Sequence, residues 1–403
     1  MIEAGTDLKN RLLKTEIDAE SLCEVLLSHY NRSSGDADEL RFGDQENPSI
    51  IIHWNMQGTI KNIMVARELS EDEVADIETA IQVVLEPSEK QYRRFPIFSN
   101  RPISGAIGFE DWFQIIPAPS SAPQPTRGWG DYVAVLEVCV EGSSLPMLVG
   151  RRAFQQARII ELLLAGLTVG GFRLQSQISQ SLWVIDFADQ SCPKHLQRGY
   201  AADDVAGTIP EFTDIGALGD IELVDVNGYY DGRSQGASDN TILPSTFPNL
   251  AIKFRSLDTK QQRKFLRSAY WLKHMNDVWS MSKSAAYIAA VSAIEALFPS
   301  ETDKSIPCTA CGLTKREGPT QKFANFVETM VRDSVPRKQR LEFYGRRSRL
   351  VHGQLIAKND DFDLQSIDPV RMREDGEQRW MTTITRIVLH NWLVDQNIPS
   401  TSK

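Results

Sequence analysis

Through the first 230 residues, apolar positions come in short β-branched or alternating runs interrupted by helical periods, a pattern of mixed α and β elements. "IIIHW" at 50–54 and "TIKNIMVARE" at 59–68 read as a strand pair that turns near Gly58. "SEDEVADIETAIQVVLEP" at 70–87 reads as a helix, with Ser70 and Glu73 as a capping box and Pro87 as its stop. "DYVAVLEVCVEG" at 131–142 alternates in the manner of a half-buried strand. "RRAFQQARIIELLLAGL" at 151–167 is an amphipathic helix expected to close at Gly166. "QSLWVIDFA" at 180–188 is a further strand, and "IPAPSSAPQPTRGWG" at 116–130 has the proline content of a loop. No repeat is visible, and "GLTVGG" at 166–171 lacks the lysine of a phosphate-cradling loop and reads as a turn.

From 231 to 250 the chain is rich in Gly, Ser, Asn and Pro, which is linker chemistry. Beyond it every period is helical. Asp258 or Thr259 caps a helix with Phe265, Ala269, Leu272 and Trp279 along one side. Further helices are expected over "SKSAAYIAAVSAIEALFP" and over "TQKFANFVETMV", the latter with Phe323, Phe326, Val327 and Met330 as an apolar stripe. A fourth opens at Pro336 and stops near Gly353, and "EQRWMTTITRIVLHNWLVD" forms the last. The expected class is α+β: a mixed α/β domain over 1–235, a linker over 236–256 and a helical bundle of about five helices over 257–403.

The length supports this division, since 403 residues exceed one ordinary core. With 41% apolar and 24% charged residues the chain is globular rather than disordered. The longest apolar stretch, 159–172, is shorter than a membrane span and carries Glu161. The first residues lack the apolar core of a signal peptide, so a cytoplasmic protein is expected, and "NRS" at Asn31 reads as a chance sequon.

The net charge of −9 argues against a polyanion partner until the chain is divided. Residues 1–250 hold 19 Lys and Arg against 36 Asp and Glu, whereas 251–403 hold 25 against 17. The second part can attract nucleic acid while the first can cover it until displaced.

Within the basic part, "YGRRSRLVHGQ" at 344–354 places three arginines and a histidine within a few helical turns. Glu295, the one charge between 284 and 300, shares an apolar stripe with Ile288, Val291 and Phe298. A carboxylate there needs a cationic partner, because unpaired it costs several kcal/mol. Arg347 is the expected partner. Tyr344, Ser348 and His352 follow an i, i+4, i+8 row and share a face. Arg347 and His352, five residues apart, lie about 140° apart on a regular helix. They converge only if the helix loosens near its end or if a second copy supplies one of them. Gly345 would ease the close approach of another backbone. A bland reading also stands: His352 satisfies carbonyls at a helix C-terminus, and the arginines form a solvated face.

With these residues in view, 258–395 resembles a HEPN domain of the Apea-like branch found in prokaryotic antiphage and toxin proteins. The resemblance rests on "SAIEALF" and on "YGRRSRLVHG", in which Arg347 and His352 fit the family's Arg-x4-His pattern and Ser348 its favoured polar residue. It implies an all-α bundle, a homodimer and metal-independent RNA cleavage, or, in members that have lost catalysis, a non-catalytic module that binds RNA or protein. It also implies a place in abortive defence or as a toxin; the charge contrast adds the expectation that the acidic domain senses a phage or host trigger or restrains the nuclease.

The chemistry agrees, because RNA carries its own nucleophile, the 2′-hydroxyl. His352 would move protons and Arg347 would stabilise the phosphorane charge. Ser348 would position the phosphate or orient the histidine, and Tyr344 would stack or hydrogen-bond. Arg346, Arg349, Arg340, Lys338 and Arg337 would hold flanking phosphates.

Of five cysteines, Cys308 and Cys311 in "IPCTACGLTKREG" have the spacing of half a zinc knuckle. A structural zinc could recruit Cys192 and His195 of "CPKH", or a second subunit's pair. Two unliganded thiols are the alternative. Cys23 and Cys139 fall in apolar periods and belong to the core.

Overall fold

The computed structural model describes residues 19–36, 38–55, 60–86, 89–120, 131–174, 182–184, 194–196, 206–232, 239–299, 306–307, 314–315, 318–331, 335–361 and 369–396, together with positions 12 and 17. The chain is α+β.

It begins with helix α1 (Ala19–Tyr30) and an antiparallel sheet of β1 (Ser33–Gly35), β2 (Glu39–Gly43), β3 (Pro48–Trp54) and β4 (Ile60–Val65), in that order. Helix α2 (Glu71–Leu85) follows; Ser70 makes its half of the expected capping box by accepting from the Glu73 N–H at 3.1 Å, while the Glu73 carboxylate accepts from Tyr30 and Arg67. Leu22, Leu26, Phe42, Ile50, Ile52 and Ile77 close a small core of their own between these helices and the sheet.

The second sheet holds β5 (Lys90–Ser99), β6 (Ile107–Phe109), β7 (Phe113–Pro117) and β8 (Tyr132–Glu141), antiparallel in the order β5-β8-β7-β6. Strand β8 was expected to be half-buried, but all its residues from Val133 to Val140 are buried. Alternation fails because the strand is central and covered on both faces. One cover is α3 (Pro146–Leu167), followed by β9 (Arg173–Leu174) paired to β5. Gly166 does not close α3; the helix runs past it to Leu167, with Thr168 as its cap. The glycine is there for packing, since a Cβ would lie 2.9 Å from Phe265 Cζ and 3.2 Å from Ala269 Cβ.

A hairpin of β10 (Leu182–Val184) and β11 (Lys194–Leu196) comes next, then β12 (Gly207–Ile209) on the outer edge of β5 and the parallel pair β13 (Leu223–Val224) and β14 (Leu243–Pro244).

The expected linker over 236–256 is corrected. Its second half is helix α4 (Phe247–Ser256), with Phe247, Leu250, Ala251 and Phe254 buried. Pro248 sits where a helix start tolerates proline, and the four buried residues keep i, i+3, i+4, i+7 spacing. The Gly, Ser and Pro composition hid that stripe.

The bundle continues with α5 (Thr259–Val278), capped by Asp258, and α6 (Lys283–Glu295), capped by Ser282. Asp360 reinforces the start of α6 by accepting from the backbone N–H groups of Lys283 and Ser284. Short strands β15 (Ile306–Pro307) and β16 (Thr314–Lys315) precede α7 (Pro319–Val331), α8 (Arg337–Val351) and α9 (Pro369–Asp395).

One apolar cluster runs from Ile97 and Leu136 of the sheet through Leu164 and Phe265 to Val291, Val327 and Val388 of the bundle. The sheet and the helices therefore share a core rather than meeting across a loose connection. Buried Glu161 sits inside this cluster. It pairs with Arg158, accepts from the Leu174 N–H at 2.9 Å and lies 3.8 Å from Lys273 Nζ of α5. Among the described residues no helix is long and apolar enough to cross a membrane.

Candidate active site

Helix α8 is the element that carries the motif. Pro336 opens it, and Phe343, Tyr344 and Leu350 form its buried side. It packs on α6 and α7, so its motif residues fall beside the C-terminal end of α6, where Glu295 stands.

Arg347 Nη2 donates to Glu295 Oε2 at 3.1 Å, and Tyr344 Oη donates to Glu295 Oε1 at 3.1 Å. The carboxylate thus bridges two residues one helical turn apart on α8. It is a quarter exposed rather than sealed in the apolar stripe, so the pair opens to solvent. The Arg347 guanidinium also lies 5.5 Å from the Tyr344 ring centre. Its Nη1 makes no hydrogen bond among the described residues, and its Nε is buried without a partner. Nη2 is held by Glu295, and Nη1 is the one terminal nitrogen without a bond to the described residues.

Tyr344 is not placed to stack on a base. Its ring is buried against Phe323, and burial first, then the Glu295 carboxylate, push its phenol pKa up. It remains a neutral hydrogen-bond donor that orients Glu295.

His352 caps α8. Its backbone N–H donates to Ser348 O at 3.0 Å as the last regular bond of the ladder; the Gly353 N–H turns to Leu350 O, and Gly353 takes the chain out with φ +67°. The imidazole is exposed and makes no hydrogen bond among the described residues, so it does not satisfy helix-end carbonyls. Ser348 is partly exposed, and its hydroxyl is likewise without a partner among the described residues.

With α8 regular to Val351, an ideal wheel sets Arg347 and His352 about 140° apart around the helix. Arg347 faces α6, whereas His352 faces solvent.

The flanking cations divide. Arg346 is committed to Glu377 at 2.6 Å and Glu374 at 2.8 Å and lies over the Tyr287 ring. Arg340 is buried, bonded to Val335 O and paired with Glu328 at 2.7 Å. Both tie helices together rather than await phosphate. Arg337 is exposed and donates to Gln321 Oε1, Lys338 is 89% exposed, and Arg349 is exposed without an ion pair among the described residues. Sequence reasoning missed the partners Glu374 and Glu377. Their spacing of three on a helix facing α8 was the available signal.

Among the described residues, the carboxylates paired with α8 arginines come from α6, α7 and α9. Cys192, Cys308 and Cys311 lie outside the described residues, as does the His195 side chain. Among the described residues no group of three or more His, Cys, Asp or Glu is arranged to hold a metal ion. Cys23 and Cys139 are buried, as their apolar periods implied.

Compared with known proteins, the chain matches no family model, no curated protein and no solved structure.

Proposed function

We propose that the protein is a metal-independent endoribonuclease of the HEPN type, active as a homodimer whose site takes Arg347 from one protomer and His352 from the other. The observation that carries this reading is that Arg347 is held toward Glu295 of α6 while the His352 imidazole, at the end of α8, is exposed. That arrangement separates two groups suited to one reaction and leaves both open to an outside partner.

In the assembled site, the 2′-hydroxyl of the RNA attacks the adjacent phosphorus and the 5′-oxygen leaves. His352 takes the 2′-hydroxyl proton and returns it to the departing 5′-oxygen, and Nη1 of Arg347 stabilises the negative charge that develops on the phosphate. Glu295 fixes Nη2 of that guanidinium, and Tyr344 fixes Glu295. Ser348 supplies a hydroxyl on the same side of α8 as the histidine.

Purified protein mixed with total RNA in the presence of EDTA is the test. Fragments should end in 2′,3′-cyclic phosphate and 5′-hydroxyl. Intact RNA would make the bundle a binding module, and 3′-hydroxyl ends would require a different nucleophile.

A further inference from the structure

The exposed side of α5 carries chemistry that the motif does not use. On a helical wheel, Lys260, Arg263, Arg267, Tyr270, Trp271 and His274 fall within an arc of about 100°, opposite the buried Phe265, Ala269 and Leu272. They form a stripe roughly 21 Å long.

Lys260, Arg263 and Arg267 are exposed and make no ion pair or hydrogen bond among the described residues. That sets them apart from Arg340, Arg346 and Arg347, each of which has an acidic partner. The acids of α5 are engaged elsewhere: Asp277 pairs with Lys273 at 2.7 Å, and Asp258 caps the helix. The next turn adds three rings. Tyr270 and His274 lie parallel within 3°, and Trp271 stands edge-on to both. Trp271 is anchored in the core, whereas Tyr270 is 47% exposed and offers its ring to solvent.

Two further features point the same way. A cleft of about 550 Å³ opens beside the basic end, walled by Lys260, Lys264, Leu297, Phe326, Met330 and Trp392, and it has room for a nucleobase. Ser268 Oγ donates to Ala293 O and Lys264 Nζ donates to Phe298 O, so this end of α5 lies beside the turn of α6 that carries Glu295.

We infer that the exposed face of α5 is a docking track for single-stranded RNA. Phosphates sit on Lys260, Arg263 and Arg267, and an unstacked base lies on Tyr270. The inference rests on the ribonuclease reading and names its substrate form. Unpaired cations alone would suit any polyanion. The ring cluster selects bases whose faces are free, which a duplex hides.

The test is fluorescence anisotropy of full-length protein with a labelled oligouridine of about ten nucleotides, within the usual site size for single strands. The His352→Ala variant is used so that the probe stays whole. Adding Arg263→Ala with Arg267→Ala should lower the slope of log affinity against log salt by about 1.4, for two lost single-strand phosphate contacts. Tyr270→Ala should weaken binding about 5- to 100-fold, with Tyr270→Phe unchanged, because stacking needs the ring and not the hydroxyl.

Unchanged affinity and slope in these variants would overturn the track. So would equal affinity for a duplex of the same length, or equal competition by polyglutamate. The readout does not depend on cleavage. Protein that binds along α5 yet never cuts RNA keeps the track and loses the nuclease, whereas protein that cuts RNA with all α5 variants binding normally does the reverse.

Discussion

Replacing His352 by alanine should lower RNA cleavage by about 100- to 10,000-fold, the usual contribution of a positioned general acid or base. Stability should stay within about 0.5 kcal/mol of the parent, because the ring is exposed and has no bonded partner among the described residues. RNA affinity should persist as well, since the exposed cations are untouched. Single-turnover cleavage, urea unfolding and RNA anisotropy on the same variant separate the three quantities. Cleavage at the parental rate would mean that the imidazole moves no proton in the reaction. Loss of stability would mean that its role is structural.

The largest expected stability effect lies far from the motif. Glu161→Gln should destabilise the protein by about 3–5 kcal/mol, the cost of removing one charge from a buried ion pair. Glutamine keeps the shape and an acceptor for the Leu174 N–H, but it leaves Arg158 without its anion and takes one of two acidic neighbours from Lys273. An exposed pair such as Lys338 with Glu342 should contribute less than about 1 kcal/mol by the same measurement. Glu161 links α3, β9 and α5, so tryptophan fluorescence and far-UV circular dichroism of the variant should shift together in urea. Separate transitions would contradict the shared core, and a loss below about 1 kcal/mol would show that water reaches this site.

Much of the secondary structure was legible because local signals agreed. Ser70 with Glu73, Asp258 and Pro336 each mark a helix start by chemistry that acts within four residues. What the sequence hid was set by distant neighbours. β8 is buried from Val133 to Val140 because α3 covers one face and Thr213 and Ile215 lie against the other, and α4 exists because its apolar stripe meets the bundle despite loop-like composition around it. Gly166 signalled a stop, but its missing side chain serves contact with Phe265.

The candidate site was legible in part. A lone acid on an apolar helix required a cation, and Arg347 is that cation. The fates of Arg340 and Arg346 were not readable, because a dense run of arginines does not reveal which of them face acids on other helices. Nor did the reading of α5 along its apolar side reveal the basic and aromatic stripe on the opposite one.

The proposed nuclease depends on two groups of α8, Arg347 and His352, serving a single phosphodiester from two protomers. Complementation tests this most directly. Arg347→Ala and His352→Ala are each expected to be inactive alone. Mixed under conditions that exchange subunits, half of the dimers pair one variant with the other, and each such dimer regains one complete site. Activity should therefore return to about a quarter of the parental level per protomer, as two-fold symmetry requires. A mixture as inactive as its components, with exchange verified by mass, would contradict a site shared between subunits.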